Sequence, residues 1–200
     1  MVFLAAPLAA KGVPVARPLA QSLVLAVIVI VVILSYRRGA IAIIVLGLAA
    51  NLASFSARSQ LSLTVASVLR HGGGILTFLA LSWVVAHAVY APGRITSRRL
   101  QGAAVLYLNF AIIFASAFNL IWDLNRTAFS NLRGSIGQPS ELATMLYFSL
   151  TTLTTTGFGD IVPLDPVARS LANLESMIGV FYTAITIARL VTMELQDRRR

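Results

Sequence analysis

The sequence predicts an all-α integral membrane protein, and both its composition and the length of its apolar segments indicate that class. Hydrophobic residues make up 58% of the 200 residues and charged residues only 12%, whereas a soluble domain carries about 25% charged residues. The mean hydropathy is +0.83, which leaves too little polar surface to cover a water-facing exterior. Several apolar segments approach the ~20 residues that a helix needs to cross the hydrocarbon core.

The charged residues are distributed like the flanks of membrane spans. The formal net charge is +9, but the basic residues stand in short clusters between apolar segments, as they do beside membrane helices. We therefore expect contact with membrane lipid and no nucleic-acid partner. The chain has no cysteine, which excludes a disulfide framework, a zinc–thiolate site and thiol catalysis.

Residues 1–101 are predicted to form an N-terminal transmembrane helical domain. The basic pair Arg37 and Arg38 closes its first span. Residues 56–73 contain an apolar patch that is too short to span, so we expect either an interfacial helix or an extension of the next span that is broken at Gly72–Gly74. The predicted spans are 19–36, 40–55 and 75–91.

Residues 102–195 have a different organisation, because a short helix stands between two full spans. Such a helix is typical of a re-entrant segment, whose non-helical backbone is tolerated at membrane depth only where it lines a cavity. Trp122 is an expected interface anchor at the end of the first of these spans. The predicted elements are an outer helix 102–124, a pore helix 140–153, a filter 155–160, an inner helix 167–195 and a basic cytoplasmic tail 196–200.

The predicted filter reads TTGFGD and follows the short helix directly. The carbonyls that an extended backbone would present to a common axis are those of Thr155, Thr156, Gly157 and Phe158. They can face one way only if some residues take a positive φ, which glycine does without a Cβ penalty. Rings of such oxygens from four chains replace the hydration shell of K⁺. Asp160 would keep the outer mouth negative, and the C-terminal dipole of the short helix would favour a cation below the filter.

These elements resemble the pore module of tetrameric potassium channels. The resemblance covers about residues 102–195, with its core at 140–190, and lies in the pore helix YFSLTTL, the filter TTGFGD and the loop IVPLDPVAR. The same run is similar to small bacterial ion-channel proteins with six helices per chain. A Thr/Gly-rich turn between two membrane helices is the alternative interpretation.

The resemblance implies a function and a set of site residues. It implies passive, potassium-selective conduction through a homotetrameric pore in the cytoplasmic membrane, with no cofactor besides the permeant ion. Gly179 occupies the place of the family's gating glycine, and Arg169 that of the arginine that opens the inner helix. The implied K⁺ ligands are Thr155, Thr156, Gly157 and Phe158, with Gly159 completing the filter and Asp160 at the outer mouth.

The sequence departs from the family pattern around the filter. Phe158 replaces the commoner tyrosine, and Thr156 replaces an aliphatic residue. Phe148 stands where many relatives carry a tryptophan that bonds the filter aspartate, and Tyr147 is the donor that would partly substitute. With Thr151, these two residues form the expected pore-helix support. The departures bear on the mechanical stability of the filter more than on selectivity, which the backbone carries.

The predicted third span lacks a voltage-sensor array. A sensor needs several arginines at three-residue spacing, since each transferred charge contributes roughly 2.3 kcal/mol per 100 mV, and residues 75–90 contain none. Steep voltage gating is therefore not expected.

Enzymatic activity is not expected either, because paired carboxylates, an HExxH motif and a Ser/His/Asp set are not found in the sequence. A weakly selective cation channel and a non-conducting regulatory channel subunit are the alternatives, and an unidentified regulatory subunit is a further partner to consider.

Four ionisable side chains stand apart from the filter. For Glu175, in the middle of the inner helix, structural hydrogen bonding and exposure to a water-filled cavity both stay open. His71 and His87 are either interface anchors or pH sensors. Asp123 is expected only to end its helix. The candidates for the lower gate are Thr183, Ala184, Ile187 and Ala188.

The orientation of the chain raises a question about its start. With the filter outside, the linker at 94–99 is cytoplasmic, and counting back through three spans places residue 18 outside. The resemblance implies one more helix, with the N-terminus inside. We therefore expect residues 1–10 to be the tail of a first helix that starts upstream of Met1, with a cleaved signal peptide as the alternative.

Overall fold

The computed structural model describes residues 62–91, 96–132 and 139–198. The predicted spans 19–36 and 40–55, and the expected helix tail at residues 1–10, lie outside the described residues. Within the described ranges the chain forms four α-helices and one isolated antiparallel bridge, between Phe129 and Pro163. The helices are α1 (Leu63–Val89), α2 (Ser97–Leu124), α3 (Pro139–Leu153) and α4 (Pro166–Arg198).

Three of these helices, α1, α2 and α4, are long and apolar enough to cross a membrane. The chain is therefore a multi-pass membrane protein. Helix α3 has 15 residues, or about 22 Å at 1.5 Å per residue, which is less than the ~30 Å hydrocarbon core. Helix α4 has 33 residues, or about 50 Å, so it extends past the hydrocarbon core and takes in residues 196–198 of the expected basic tail.

Helix α1 does not break at its glycines. It begins at Leu63 and continues through Gly72–Gly74 to Val89, so the apolar patch is an extension of the third span, and the expected break there is wrong. A break would free backbone N–H and C=O groups where no water can bond them, which costs several kcal/mol per group in lipid. The ~1 kcal/mol that a helical glycine costs relative to alanine is smaller.

Polar groups join α1 to α2. Helix α2 begins at Ser97, before the predicted start at residue 102. Buried Asn109 of α2 donates to the Phe78 carbonyl at 2.9 Å and to the Ser82 hydroxyl at 2.6 Å, both on α1. Side-chain amides and hydroxyls that bond across helices are a common means of association in membranes. The described part of the N-terminal domain is thereby fixed against the outer helix.

An aromatic cluster packs α2 against α3 and the turn between them. The ring centroids of Phe118 and Phe148 lie 4.9 Å apart, and those of Phe129 and Phe148 lie 5.5 Å apart, both edge to face. Trp122 contacts the same cluster through Phe129. Edge-to-face rings contribute about 0.5–1.5 kcal/mol per pair beyond the burial of their area. The short helix is therefore held against α2 and the turn by apolar packing.

Both C-terminal helices begin at a proline, Pro139 for α3 and Pro166 for α4. Proline suits the first helical turn because its missing N–H would be unpaired there. Asp165 caps α4 by accepting from the Val167 N–H at 2.8 Å, and its other carboxyl oxygen accepts from Asn125 at 3.2 Å. The start of the inner helix is thereby tied to the end of the outer helix.

Candidate functional site

The segment after α3 is held by hydrogen bonds to the last carbonyls of that helix. The Thr154 and Thr155 N–H groups donate to the carbonyls of Leu150 and Thr152 at 3.0 and 2.9 Å. The Thr151 carbonyl accepts from both Thr156, at 2.8 Å, and Gly157, at 3.2 Å. The carbonyls at a helix C-terminus have no partner within the helix, and here the filter backbone supplies it. The predicted support by Thr151 thus lies in its carbonyl, since its hydroxyl bonds the Phe148 carbonyl of its own helix.

Every second residue of the filter has a left-handed backbone. The φ angle is +57° at Thr155, +55° at Gly157 and +77° at Gly159. Alternation of left-handed residues with ordinary ones turns successive carbonyls toward the same side, whereas a regular strand points them to alternate sides. The segment can therefore present a row of oxygens to one axis. Residues 154–160 are all exposed in the single chain.

Thr155 is the residue in this alternation that the sequence did not reveal. Positive φ is ordinary for glycine but is an outlier for a β-branched residue. Such a conformation costs roughly 1–3 kcal/mol and persists only where the surroundings impose it. The N–H bonds to α3 impose it here, together with the bond from the Thr155 hydroxyl to the Thr154 carbonyl at 2.7 Å. The only sequence feature that could have indicated this conformation is spacing, because residue 155 lies two positions before Gly157 and four before Gly159.

The outer end of the filter is held by two side chains. Asn131 donates to the Asp160 carbonyl at 2.9 Å and has a positive φ of 61°. The Tyr147 hydroxyl also interacts electrostatically with the Asp160 carboxylate. The Tyr147 ring also stacks on the Phe158 ring, with centroids 6.2 Å apart. The structure therefore places Tyr147 beside the filter, whereas Phe148 lies in the aromatic cluster. Asn131 was not anticipated, because nothing in its local sequence marks it.

The loop after the filter is fixed to the turn after α2. The Ser130 N–H donates to the Val162 carbonyl at 2.9 Å, and the Leu164 N–H donates to the Ala128 carbonyl at 2.7 Å. Arg169, in the first turns of α4, donates through Nε to the Pro163 carbonyl at 3.0 Å. The arginine that opens the inner helix thus braces the loop that leads out of the filter.

At Gly179, helix α4 lies very close to the backbone of α3. A Cβ atom built at this position would lie 1.9 Å from the Leu153 carbonyl oxygen. The same end of α3 receives a bond from Ser176 to the Thr152 carbonyl and one from Tyr107 to the Leu153 carbonyl, each at 3.2 Å. The absence of a side chain at Gly179 therefore has a packing reason, separate from the hinge role that the resemblance implies.

Asp123 does more than end its helix, contrary to the sequence-based expectation. Its carboxylate accepts from Ser67 at 2.9 Å, lies 3.2 Å from His71 Nε2 and pairs with Arg126 at 3.0 Å. Arg126 also pairs with Glu141 of α3 at 3.2 Å. This group of five residues, the outer polar network, joins α1, α2 and α3. The partners of Asp123 on α1 are more than 50 positions away in sequence, so no local pattern could have shown them.

His87 and the candidate lower-gate residues lie toward the other end of the molecule. His87 is exposed and lies 3.3 Å from the Trp83 carbonyl of its own helix. The Thr183 hydroxyl bonds the Gly179 carbonyl at 2.9 Å. The candidates Thr183, Ala184, Ile187 and Ala188 are exposed in the single chain.

The C-terminal half of α4 is tied to the end of α1 by Tyr90, Thr186 and Arg189. The Tyr90 hydroxyl bonds the Thr186 hydroxyl at 2.8 Å, and Arg189 donates to the Tyr90 carbonyl at 3.1 Å. The Arg189 guanidinium also lies 5.0 Å from the Tyr90 ring centroid. Sequence reasoning missed this contact because it joins segments about a hundred residues apart.

Comparison with known proteins finds similarity to ion channels. Residues 103–196 match a family model described as "Ion channel". The inward rectifier potassium channel Kirbac3.1 of Paramagnetospirillum magnetotacticum is 29% identical over 80 residues, which is 40% of this chain and 24% of that protein. The potassium voltage-gated channel protein shk-1 of Caenorhabditis elegans is 36% identical over 59 residues, or 28% of this chain and 11% of that protein.

The matched part is thus a quarter or less of the length of each of these relatives. No solved structure matches the chain significantly. The family match spans most of α2, the short helix α3, the left-handed alternation after it and most of α4. Residues 103–196 are thus similar to the ion-channel family.

Proposed function

We propose that the chain forms a homotetrameric, potassium-selective channel of the cytoplasmic membrane that conducts K⁺ passively. The observation that carries the proposal is the alternation of positive φ at Thr155, Gly157 and Gly159. This segment is hydrogen-bonded to the end of α3, a helix that is too short to cross the membrane. Both relatives described above are named as potassium channels. The filter backbone would replace the water shell of the ion, and several sites in series would let one ion displace the next.

Four copies are needed because each chain supplies a single filter strand. A ring of carbonyl oxygens around an ion requires the same strand from each subunit. Helix α4 has large apolar side chains that are more than half exposed in the single chain, namely Val180, Phe181, Ile185 and Ile187. These side chains are available for neighbouring subunits and for lipid.

The gate is expected to respond to something other than a steep voltage change. Helix α1 has Arg70 near its outer end, and no other arginine or lysine lies between residues 63 and 89. One charge moved through the whole membrane contributes roughly 2.3 kcal/mol per 100 mV, which is too little for steep gating. The contact of Tyr90 with α4 would instead pass a displacement of α1 to the inner helix.

Ion flux into proteoliposomes tests the proposal, with K⁺ and Na⁺ compared and Gly157→Ala as the key variant. Alanine at a φ of +55° is strained, so we expect K⁺ flux to be lost. Gly74→Ala is the matched control, since a Cβ there meets nothing within 4 Å and alanine suits a helix. The oligomeric state of each preparation is measured in parallel.

The outcomes separate the alternatives. Selective K⁺ flux that disappears in Gly157→Ala and persists in Gly74→Ala supports the proposal. Equal K⁺ and Na⁺ flux indicates a weakly selective cation channel, in which the replacements at Phe148 and Phe158 would matter. Tetramers that pass neither ion across a range of pH, lipid and tension indicate a non-conducting subunit.

A further inference from the structure

Glu175 is a fully buried carboxyl group that the proposed conduction path does not use. It lies on α4, four residues before Gly179, and its side chain points toward α3. Among the described residues it has no ion-pair partner. Burial of an isolated ionised carboxylate is very unfavourable, so such a group is either paired or neutral. The hydrogen bonds around Glu175 decide between these two states.

The Ser149 hydroxyl of α3 lies between two oxygen atoms. One is the Ala111 carbonyl oxygen of α2, at 2.8 Å, and the other is Oε1 of Glu175. A hydroxyl has one proton to donate and can accept with its lone pairs, whereas a backbone carbonyl can only accept. If Ser149 donates to Ala111, the bond to Glu175 needs a proton from Glu175. An ionised carboxylate has none.

The second carboxyl oxygen supports the same assignment. Oε2 of Glu175 is buried and has no hydrogen-bond partner among the described residues. In a carboxylate, this atom would carry half of the negative charge in an apolar environment. In the neutral acid it is an uncharged carbonyl oxygen, for which a missing partner is far less unfavourable.

We propose that Glu175 is a positioning residue that is held as the neutral acid. It donates its proton to Ser149, which in turn donates to the Ala111 carbonyl. This chain of two hydrogen bonds joins the inner, pore and outer helices on the side of α3 that faces away from the filter. One turn along α3, the carbonyls of Thr152 and Leu153 are held by Ser176 and Tyr107. Glu175 thereby helps to fix the end of α3, whose carbonyls accept hydrogen bonds from the filter backbone.

The charged and titratable groups near Glu175 are few among the described residues. On α2, the Tyr107 phenol interacts electrostatically with Glu175. On α3, Glu141 lies two turns from Ser149 and is paired with Arg126. On α4, Arg169 is bonded to the Pro163 carbonyl. None of these supplies a cation to Glu175, so loss of its proton would leave a bare buried charge and remove the donor to Ser149.

Infrared spectroscopy of the full chain in proteoliposomes at neutral pH tests the protonation state directly. The carbonyl stretch of a neutral carboxylic acid is separate from the bands of a carboxylate. We expect an acid band in the unmodified protein and its loss in Glu175→Gln. An unmodified protein without the band overturns the proposal. This readout does not depend on ion passage, so it stands apart from the proposed function.

The pH profile of K⁺ flux tests the positioning role, and this arm rests on the proposed function. Glu175→Gln should conduct at neutral pH because an amide N–H can donate to Ser149. The unmodified channel should lose flux as the pH rises and Glu175 gives up its proton, and Glu175→Gln should lack this alkaline loss. Asp165→Asn is the control and should retain it. A glutamine variant that keeps the unmodified profile, or assembled tetramers of it that do not conduct at neutral pH, would overturn the role.

Discussion

At Tyr147, one hydroxyl group connects the pore helix to the mouth of the filter. The ring stacks on Phe158 and the hydroxyl interacts with the Asp160 carboxylate. Tyr147→Phe removes this hydroxyl and keeps the stacked ring. We expect assembled tetramers that conduct K⁺ at first and then lose flux several-fold faster than the unmodified channel, because the Asp160 end of the filter is less restrained.

The time course of K⁺ flux measures this effect. Tyr182→Phe is a useful comparison, since it also removes a tyrosine hydroxyl, one that donates to the Ala103 carbonyl at 2.8 Å, away from the filter. Equal decay rates for Tyr147→Phe and the unmodified channel would contradict a bracing role for the hydroxyl.

The sequence could predict the filter backbone only where residue type reveals conformation. Gly157 and Gly159 have the positive φ that the sequence suggested. Thr155 has the same conformation, but the hydrogen bonds to α3 impose it against the preference of a β-branched side chain. Asn131 and Asp123 likewise act through partners distant in sequence. Local patterns report propensity, and these positions depend on tertiary contact.

Among the elements, the pairing of α3 with α4 depends on how closely their backbones approach. Gly179→Ala would place a Cβ 1.9 Å from the Leu153 oxygen, and because that atom belongs to backbone, a helix must move. Overpacking of this kind costs about 1–3 kcal/mol. We therefore expect the melting temperature of the tetramer to fall and K⁺ flux to decrease.

Thermal unfolding of purified tetramers measures the loss. Gly72→Ala is the control, because it is also a helical glycine and has nothing within 4 Å of the added Cβ. Alanine there should be neutral or slightly stabilising. If Gly179→Ala kept the unmodified melting temperature and changed only the open probability, a hinge role alone would explain the glycine.

The elements themselves were easier to predict than their ends. Apolar length indicated α1, α2 and α4, because a membrane selects for it directly. The start of α1 at Leu63 was harder to predict, since glycines that weaken a helix in water remain helical in lipid. The start of α2 at Ser97 lies in a basic segment whose hydropathy resembles that of a linker.

At the scale of the whole molecule, the outer polar network joins the N-terminal helix α1 to the segment that matches the ion-channel family model. Asp123 is its centre, with a side chain only 5% exposed, and it bonds Ser67 and His71 of α1 as well as Arg126. Asp123→Ala would leave Arg126 without this partner and would remove the bonds that Ser67 and His71 of α1 make with Asp123. Arg126 is 30% exposed and keeps its pair with Glu141, so the main loss is that of the hydrogen bonds from α1, and a hydrogen bond to a charged group contributes roughly 1.5–3 kcal/mol.

Hydrogen exchange of the assembled tetramer locates that effect. We expect Asp123→Ala to raise exchange in residues 63–75 of α1, while the C-terminal half of α3 keeps its protection, because Gly179, Ser176 and Tyr107 hold it independently. Asp123→Asn should have an intermediate effect, since an amide oxygen still accepts from Ser67 but no longer pairs with a charge. Uniform loss of protection across all four helices would show instead that the network supports the fold as a whole and does not act as a separate joint between α1 and the pore.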